Sequence, residues 1–305
     1  MKKLIGLVLA CSLSPAIANN ICDIELVSHR GGSGIYENSV AGVKDALIKY
    51  DAVEVDLHVL ADGIWVLHHD PALGRVSRHR SKASLLVENM TEAGWKDVHH
   101  FVKGKKGKNT PFIEDIIFAY QNKGEINFEV KGQPTSSELR QLDNHLNGKL
   151  GTQYYYSSMS LEVLKKIRNI NGRVYLGVIQ APETSSVSST IKKNNKYVKL
   201  ESKYGSSLKK WNVDIKSLEK KASTIYEGKT ENYLTNLAKI KSLTNSGLHI
   251  DYNALRQDPN LVHKAKSYEL KMYTYDVNDS NRHLQFIRKL KPSKRPTGVI
   301  TDLDV

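Results

Sequence analysis

Residues 52–58 read Ala-Val-Glu-Val-Asp-Leu-His, a β-branched run whose acidic members, Glu54 and Asp56, are two positions apart. Side chains two apart on a strand point to the same face. Both carboxylates therefore share a face, and near the end of an apolar strand they need a cation or an ion partner. Seven further short runs have strand character: Glu25–Arg30, Ile126–Lys131, Gln153–Ser158, Val174–Ile179, Leu248–Tyr252, Met272–Val277 and Gly298–Thr301. Helical patterns lie between most of them, as at Val40–Tyr50, Ser136–Leu146, Leu161–Ile170 and Asn260–Tyr268. Alternation of this kind predicts a parallel sheet, and eight units predict a closed (β/α)8 barrel. No G-x-G-x-x-G follows the first strand, which weakens an open doubly wound sheet.

Two segments break the alternation. Asp62-Gly63 turns the chain into a short strand-like piece, Ile64–His68, and then His69-Asp70-Pro71, which reads as a hairpin inserted after the second barrel strand. Ala181–Gly247 is longer than one crossover helix needs and reads as an insertion between the fifth and sixth barrel strands. Residues 186–245 carry 13 lysines, no arginine and 5 acidic residues. Elsewhere, Lys103–Lys108 holds four lysines in six residues and reads as a mobile surface loop.

The chain has 305 residues, 45 Lys plus Arg against 32 Asp plus Glu, and 40% hydrophobic residues. That is enough apolar material for a sizeable core and excludes wholesale disorder. Two cysteines exclude a disulfide scaffold, and no Cys/His spacing suggests structural zinc. A net charge of +13 invites a nucleic-acid or membrane-surface reading. The lysines, however, are not interleaved with arginine, and the aromatics form no stacking series, so no nucleic-acid partner is expected. The lysine-rich insertion instead reads as a positive flap on the active-site face, attracting anionic substrate or contacting an anionic membrane surface.

Lys2 and Lys3, the apolar run Leu4–Leu13 and Ala16-Ile17-Ala18 have the layout of a secretory signal peptide, cleaved after residue 18. Leu7–Cys11 also resembles a lipobox, with Cys11 as the lipidated residue. The expectation is an exported chain, periplasmic or secreted, or else anchored through Cys11. Residues 19–305 are expected to form one decorated barrel domain.

Barrel chemistry sits at the carboxyl ends of the strands. There the sequence places His29 and Arg30, Glu54 and Asp56, Glu129 and Lys131, with His69 at the end of the hairpin. Glu54, Asp56 and Glu129 could converge as hard oxygen ligands for Ca²⁺ or Mg²⁺. His29 and His69 suit general acid–base work near neutral pH, and Arg30 and Lys131 suit an anion. His58 shares the parity of Asp56 and reads as a supporting or surface residue. Together these residues describe metal-assisted cleavage of a phosphodiester.

The set resembles the glycerophosphodiester phosphodiesterase family. The resemblance is carried by His29-Arg30-Gly31, Glu37-Asn38-Ser39, Glu54-Val55-Asp56, Asp62-Gly63 and His69-Asp70-Pro71. Thr110–Asp115, Glu129-Val130-Lys131, Tyr273–Asn278 and Gly298–Asp302 extend it. It implies a TIM-type barrel with one divalent cation on Glu54, Asp56 and Glu129. It also implies His29 and His69 as the acid–base pair, Arg30 and Lys131 on the phosphate, and hydrolysis of glycerophosphodiesters to glycerol 3-phosphate and an alcohol. Ser158-Met159 departs from the family's usual Ser-Phe, and Tyr273 from its usual Trp. The related sphingomyelinase-D-like phospholipases share the barrel and the two-histidine site, but the Asp62–Pro71 hairpin fits the glycerophosphodiesterases better.

Overall fold

The first strand, β1 (Glu25–Ser28), pairs in parallel with both the second barrel strand and the last, and this closes the sheet on itself. The structure is a computed structural model that describes residues 24–32, 36–79, 85–102, 105–120, 123–180, 233–275, 277 and 282–302. Residues 1–18, Cys11, Asp276, Asn278 and the lysine-rich stretch 181–232 lie outside the described residues.

Chain order gives α1 (Val40–Lys49), β2 (Ala52–Val59), β3 (Trp65–Leu67), β4 (Ser77–His79), α2 (Glu92–Trp95), β5 (Val98–Val102) and β6 (Lys105–Asn109). Then come α3 (Ile113–Ala119), β7 (Glu125–Val130), α4 (Ser136–Leu150), β8 (Tyr154–Ser158), α5 (Leu161–Ile170) and β9 (Leu176–Ile179). The chain continues through α6 (Leu237–Lys241), β10 (Ser246–Asp251), α7 (Tyr252–Gln257), α8 (Asn260–Ser267), β11 (Lys271–Tyr275), α9 (Arg282–Lys289) and β12 (Gly298–Thr301). Strands β1, β2, β7, β8, β9, β10, β11 and β12 form a closed parallel barrel, the (β/α)8 architecture expected.

Local chemistry sets the boundaries. Ser39, Thr135 and Ser160 cap α1, α4 and α5 through their side-chain oxygens, and Thr135 with Glu138 completes a capping box. Asp115 reaches back to the backbone N–H of Phe112 at the start of α3 (2.9 Å). Inside the barrel, inward positions alternate large and small. Tyr155, Tyr175, His249 and Tyr273 pack ring against ring, with His249 and Tyr273 centred 4.9 Å apart. Gly177 makes the room: a Cβ there would lie 2.3 Å from Nε2 of His249. Tyr273 is thus a packing residue deep in the barrel, with its hydroxyl donating to Glu25 (2.7 Å).

The insertion after β2 is larger than a hairpin. β3 does pair antiparallel with β2, but the chain then builds a three-stranded sheet, β4-β5-β6. This unit has its own small core of Leu60, Val66, Leu73, Val87, Met90, Trp95 and Val98. The expected loop at Lys103–Lys108 is replaced from Lys105 onward by the edge strand β6, whose backbone pairs with β5. A partner strand, not apolar content, orders it, and edge lysines suit an exposed sheet margin. At the far end of the lysine-rich segment, residues 237–247 are ordinary barrel, forming α6 and the start of β10.

Candidate active site

β1 ends earlier than the sequence suggests, because Arg30 and Gly31 are both left-handed, with φ of 57° and 69°. The turn fits tightly against α1: a Cβ on Gly42 would meet the Gly31 carbonyl oxygen at 2.2 Å. A non-glycine residue in this conformation is strained and often marks a functional turn. Here the turn aims the Arg30 backbone N–H at Glu54 Oε2 (3.0 Å). Asn38, also left-handed at φ 52°, donates from Nδ2 to Asp56 Oδ2 (2.8 Å). Its Oδ1 accepts from the Asp56 backbone N–H (2.9 Å), so one side chain brackets one acid.

Asp56 and Glu129 are register partners on β2 and β7, which sets their carboxylates side by side. Glu54, two residues earlier, joins them on the same face. One ligand oxygen from each of the three lies within 4.8 Å of the others. Glu54 and Asp56 are buried, whereas Glu129 is 12% exposed and forms the open rim. Lys131 lies just past β7, 2.8 Å from Asp56 Oδ1 and also paired with Glu129. Arg30 Nε lies 3.4 Å from Asp56 Oδ2.

The electrostatics follow from burial. Burial, then the Asp56 charge, pushes the Glu54 carboxyl up to about 8. Asp56 is also penalised by burial, but Lys131, His69 and Arg30 hold it well below the usual carboxylate range. The buried Oε1 of Glu54 has no hydrogen-bond partner. Among the described residues here, Glu37, Glu54, Asp56, Asp70, Glu129 and Asp302 outnumber the fixed cations Arg30, Arg75 and Lys131 by three once Glu54 is ionised, as it would be when ligating a cation. An all-oxygen cluster with an unsatisfied buried oxygen and surplus negative charge fits a hard divalent cation.

Both histidines are held by carboxylates. His29 Nδ1 lies 2.8 Å from Asp302 Oδ1, and its Nε2 lies 4.0 Å from Glu54 Oε2. Burial and Arg30 disfavour the His29 imidazolium, yet the Asp302 hydrogen bond and the Glu54 charge leave its pKa raised. His69 Nδ1 donates to Asp70 Oδ1 (2.7 Å). Nε2 of His58 lies 3.4 Å from the His69 carbonyl oxygen, a supporting place outside the carboxylate cluster. The structure therefore gathers His29, Arg30, Glu54, Asp56, Glu129 and Lys131 at the carboxyl end of the barrel, with His69 close enough to add to the field on Asp56.

Sequence reasoning gave no role to Asp302, Asp70, Arg75 or Asn38. A polar residue ending the apolar strand β12 was the available signal for Asp302, and the adjacent His69-Asp70 pair was the signal for Asp70. Arg75 had none, because the insertion's path decides where it lands.

A closed parallel barrel with carboxylates, histidines and cations at its carboxyl end defines a barrel hydrolase with a candidate metal centre. The chain belongs to the glycerophosphoryl diester phosphodiesterase family, whose sequence profile matches residues 29–303, and it is a phosphodiesterase of that class. No curated protein matches it. Among solved structures it is similar to a glycerophosphodiester phosphodiesterase from Parabacteroides distasonis, with 16% identity, TM-score 0.61, and 92% of this chain and 93% of that one covered. It is also similar to one from Agrobacterium tumefaciens, at 15% identity, TM-score 0.62, and 92% and 96% coverage. A third similar structure is an Oleispira antarctica phosphodiesterase in complex with its product sn-glycerol-3-phosphate, at 17% identity, TM-score 0.59, and 91% and 92% coverage. These likenesses establish the shared fold.

Proposed function

We propose that the protein hydrolyses glycerophosphodiesters to sn-glycerol 3-phosphate and an alcohol, using one divalent cation, Ca²⁺ or Mg²⁺. The observation that carries this reading is the convergence of Glu54, Asp56 and Glu129 around the unpartnered Glu54 oxygen, beside His29. Those three residues would hold the cation. When bound, it supplies positive charge against the phosphoryl oxygens.

The chain's own residues do the rest. Arg30 and Lys131 pair with the phosphate anion. One of His29 and His69 takes the proton of the attacking hydroxyl, from water or from the substrate's own glycerol. The other gives a proton to the departing alcohol oxygen. Where the glycerol hydroxyl attacks, a cyclic phosphate forms, and water then opens it to glycerol 3-phosphate with the two histidines exchanging roles. Asp302 and Asp70 each accept from an Nδ1–H, which turns each Nε2 toward the substrate. The product reported for the Oleispira antarctica enzyme is consistent with this reaction.

The proposal extends to the setting: an exported, single-domain enzyme, with the lysine-rich segment drawing anionic substrate to the site. Choline release from soluble glycerophosphocholine, compared with release from sphingomyelin vesicles, tests the substrate class. Turnover of the first, lost in His29→Ala and in His69→Ala, is expected. Turnover of the vesicles alone would move the protein to the sphingomyelinase-D-like class.

A further inference from the structure

Arg75, in the loop between β3 and β4, makes a contact pattern that the reaction above does not use. Its Nε donates to Asp70 Oδ2 (2.7 Å) and its Nη2 to Asp70 Oδ1 (3.2 Å). The other edge of the same guanidinium faces Glu37, with Nη1 donating to Oε2 (2.8 Å) and Nη2 pairing with Oε1. Glu37 also accepts from Arg30 Nη1 (3.2 Å), and Asp70 Oδ1 accepts from His69 Nδ1 (2.7 Å). His69, Asp70, Arg75, Glu37 and Arg30 thus form one chain of alternating charge from an acid–base histidine to a phosphate-side arginine. The insertion supplies His69, Asp70 and Arg75; the loop after β1 supplies the others.

We propose that Arg75 is a positioning residue that fixes His69 through Asp70. An aspartate adjacent to its histidine can turn about its own side-chain bonds. Gripping both of its oxygens removes that freedom, and anchoring the grip on Glu37 ties the insertion to the loop after β1. A planar fork engages both oxygens of each of the two carboxylates at once, which the single ammonium of a lysine does not reproduce, so lysine is not an equivalent. The inference rests on the proposed acid–base role of His69, and the test separates the two.

The experiment measures kcat and KM on glycerophosphocholine for Arg75→Ala, Arg75→Lys, His69→Ala and the double variant Arg75→Ala/His69→Ala. Loss of a partner that orients an active-site ligand or imidazole typically lowers activity about 10–100-fold. That fall is expected in kcat for Arg75→Ala, with a smaller one for Arg75→Lys, which also serves if the alanine variant does not fold. In the His69→Ala background, removing Arg75 should change kcat by less than about 3-fold, because residues acting as one unit are non-additive. In ¹⁵N-histidine spectra, the Nδ1–H signal of His69, identified by its absence in His69→Ala, should weaken in Arg75→Lys. Equal losses in both backgrounds, or an unchanged His69 signal, would overturn the positioning role. A fully active His69→Ala would overturn the role of His69, and this inference with it.

Discussion

Asp302 Oδ1 lies 2.8 Å from Nδ1 of His29, so the residue that follows the last barrel strand orients the one that follows the first. Barrel closure creates the contact: β12 and β1 pair from Glu25 and Gly298 through Ser28 and Thr301. Asp302→Ala is expected to lower kcat about 10–100-fold, with the fold and divalent-cation binding retained. Calorimetric cation titration beside steady-state kinetics checks this. A wild-type kcat would show the contact to be idle.

The small core of the insertion supports His69 indirectly. Trp95 is fully buried and meets the His68 ring edge-on at 6.0 Å. His68 in turn bonds the Asp70 carbonyl oxygen (2.7 Å) and Ser77 Oγ (2.8 Å). Trp95→Ala should destabilise by about 3–5 kcal/mol and reduce activity at temperatures where the barrel remains folded. Urea unfolding monitored by circular dichroism, with activity followed in parallel, reads both. Loss of stability without loss of activity would detach the insertion's core from the site.

Two buried histidines make stability fall on acidification. Burial pushes His249 down to about 3, and burial with the neighbouring His68 pushes His100 down to about 4. An unfolded histidine takes up its proton near 6.5, while these two stay neutral in the fold. Their full contribution is therefore present above that pH, and it is lost as pH falls from about 6.5 toward 4 and below. The loss is on the order of a few kcal/mol per group. His249→Phe removes one such proton site and should flatten the dependence of urea midpoint on pH. An unchanged slope between pH 7.5 and 5 would contradict the account.

Room for the His249 ring comes from Gly177. Gly177→Ala places a methyl against Nε2 at 2.3 Å and should destabilise by about 1–3 kcal/mol through overpacking. Adding His249→Ala vacates that space, so the pair should be less destabilised than the two single losses combined. Thermal denaturation of the four proteins measures the coupling. Simple additivity would place the steric conflict elsewhere.

How much of this was legible in the sequence depends on what fixes each feature. The eight barrel strands were legible because inward and outward positions both have to be buried, which writes apolar runs into the chain. Glu54, Asp56 and Glu129 were legible because acids at the ends of such runs are costly without partners. Strand ends were less so: Arg30 and Gly31 leave the strand through backbone dihedrals that no periodicity encodes. The β4-β5-β6 sheet was not legible, since its strand β6, Lys-Lys-Gly-Lys-Asn, has no apolar side chain and is held by pairing alone. Nor were the pairs Asp302–His29 and Arg75–Glu37, whose members are 273 and 38 residues apart and meet only through topology.

The central claim, that the carboxylate cluster works as a metal centre for glycerophosphodiester hydrolysis, is tested most directly by release of glycerol 3-phosphate from glycerophosphocholine. The wild type would be assayed with Ca²⁺ or Mg²⁺ and with excess chelator, beside Glu54→Gln. The account predicts steady release with one of the metals, none with chelator, recovery on re-addition, and none from folded Glu54→Gln at any metal concentration. Undiminished release in chelator, or from Glu54→Gln, would contradict it.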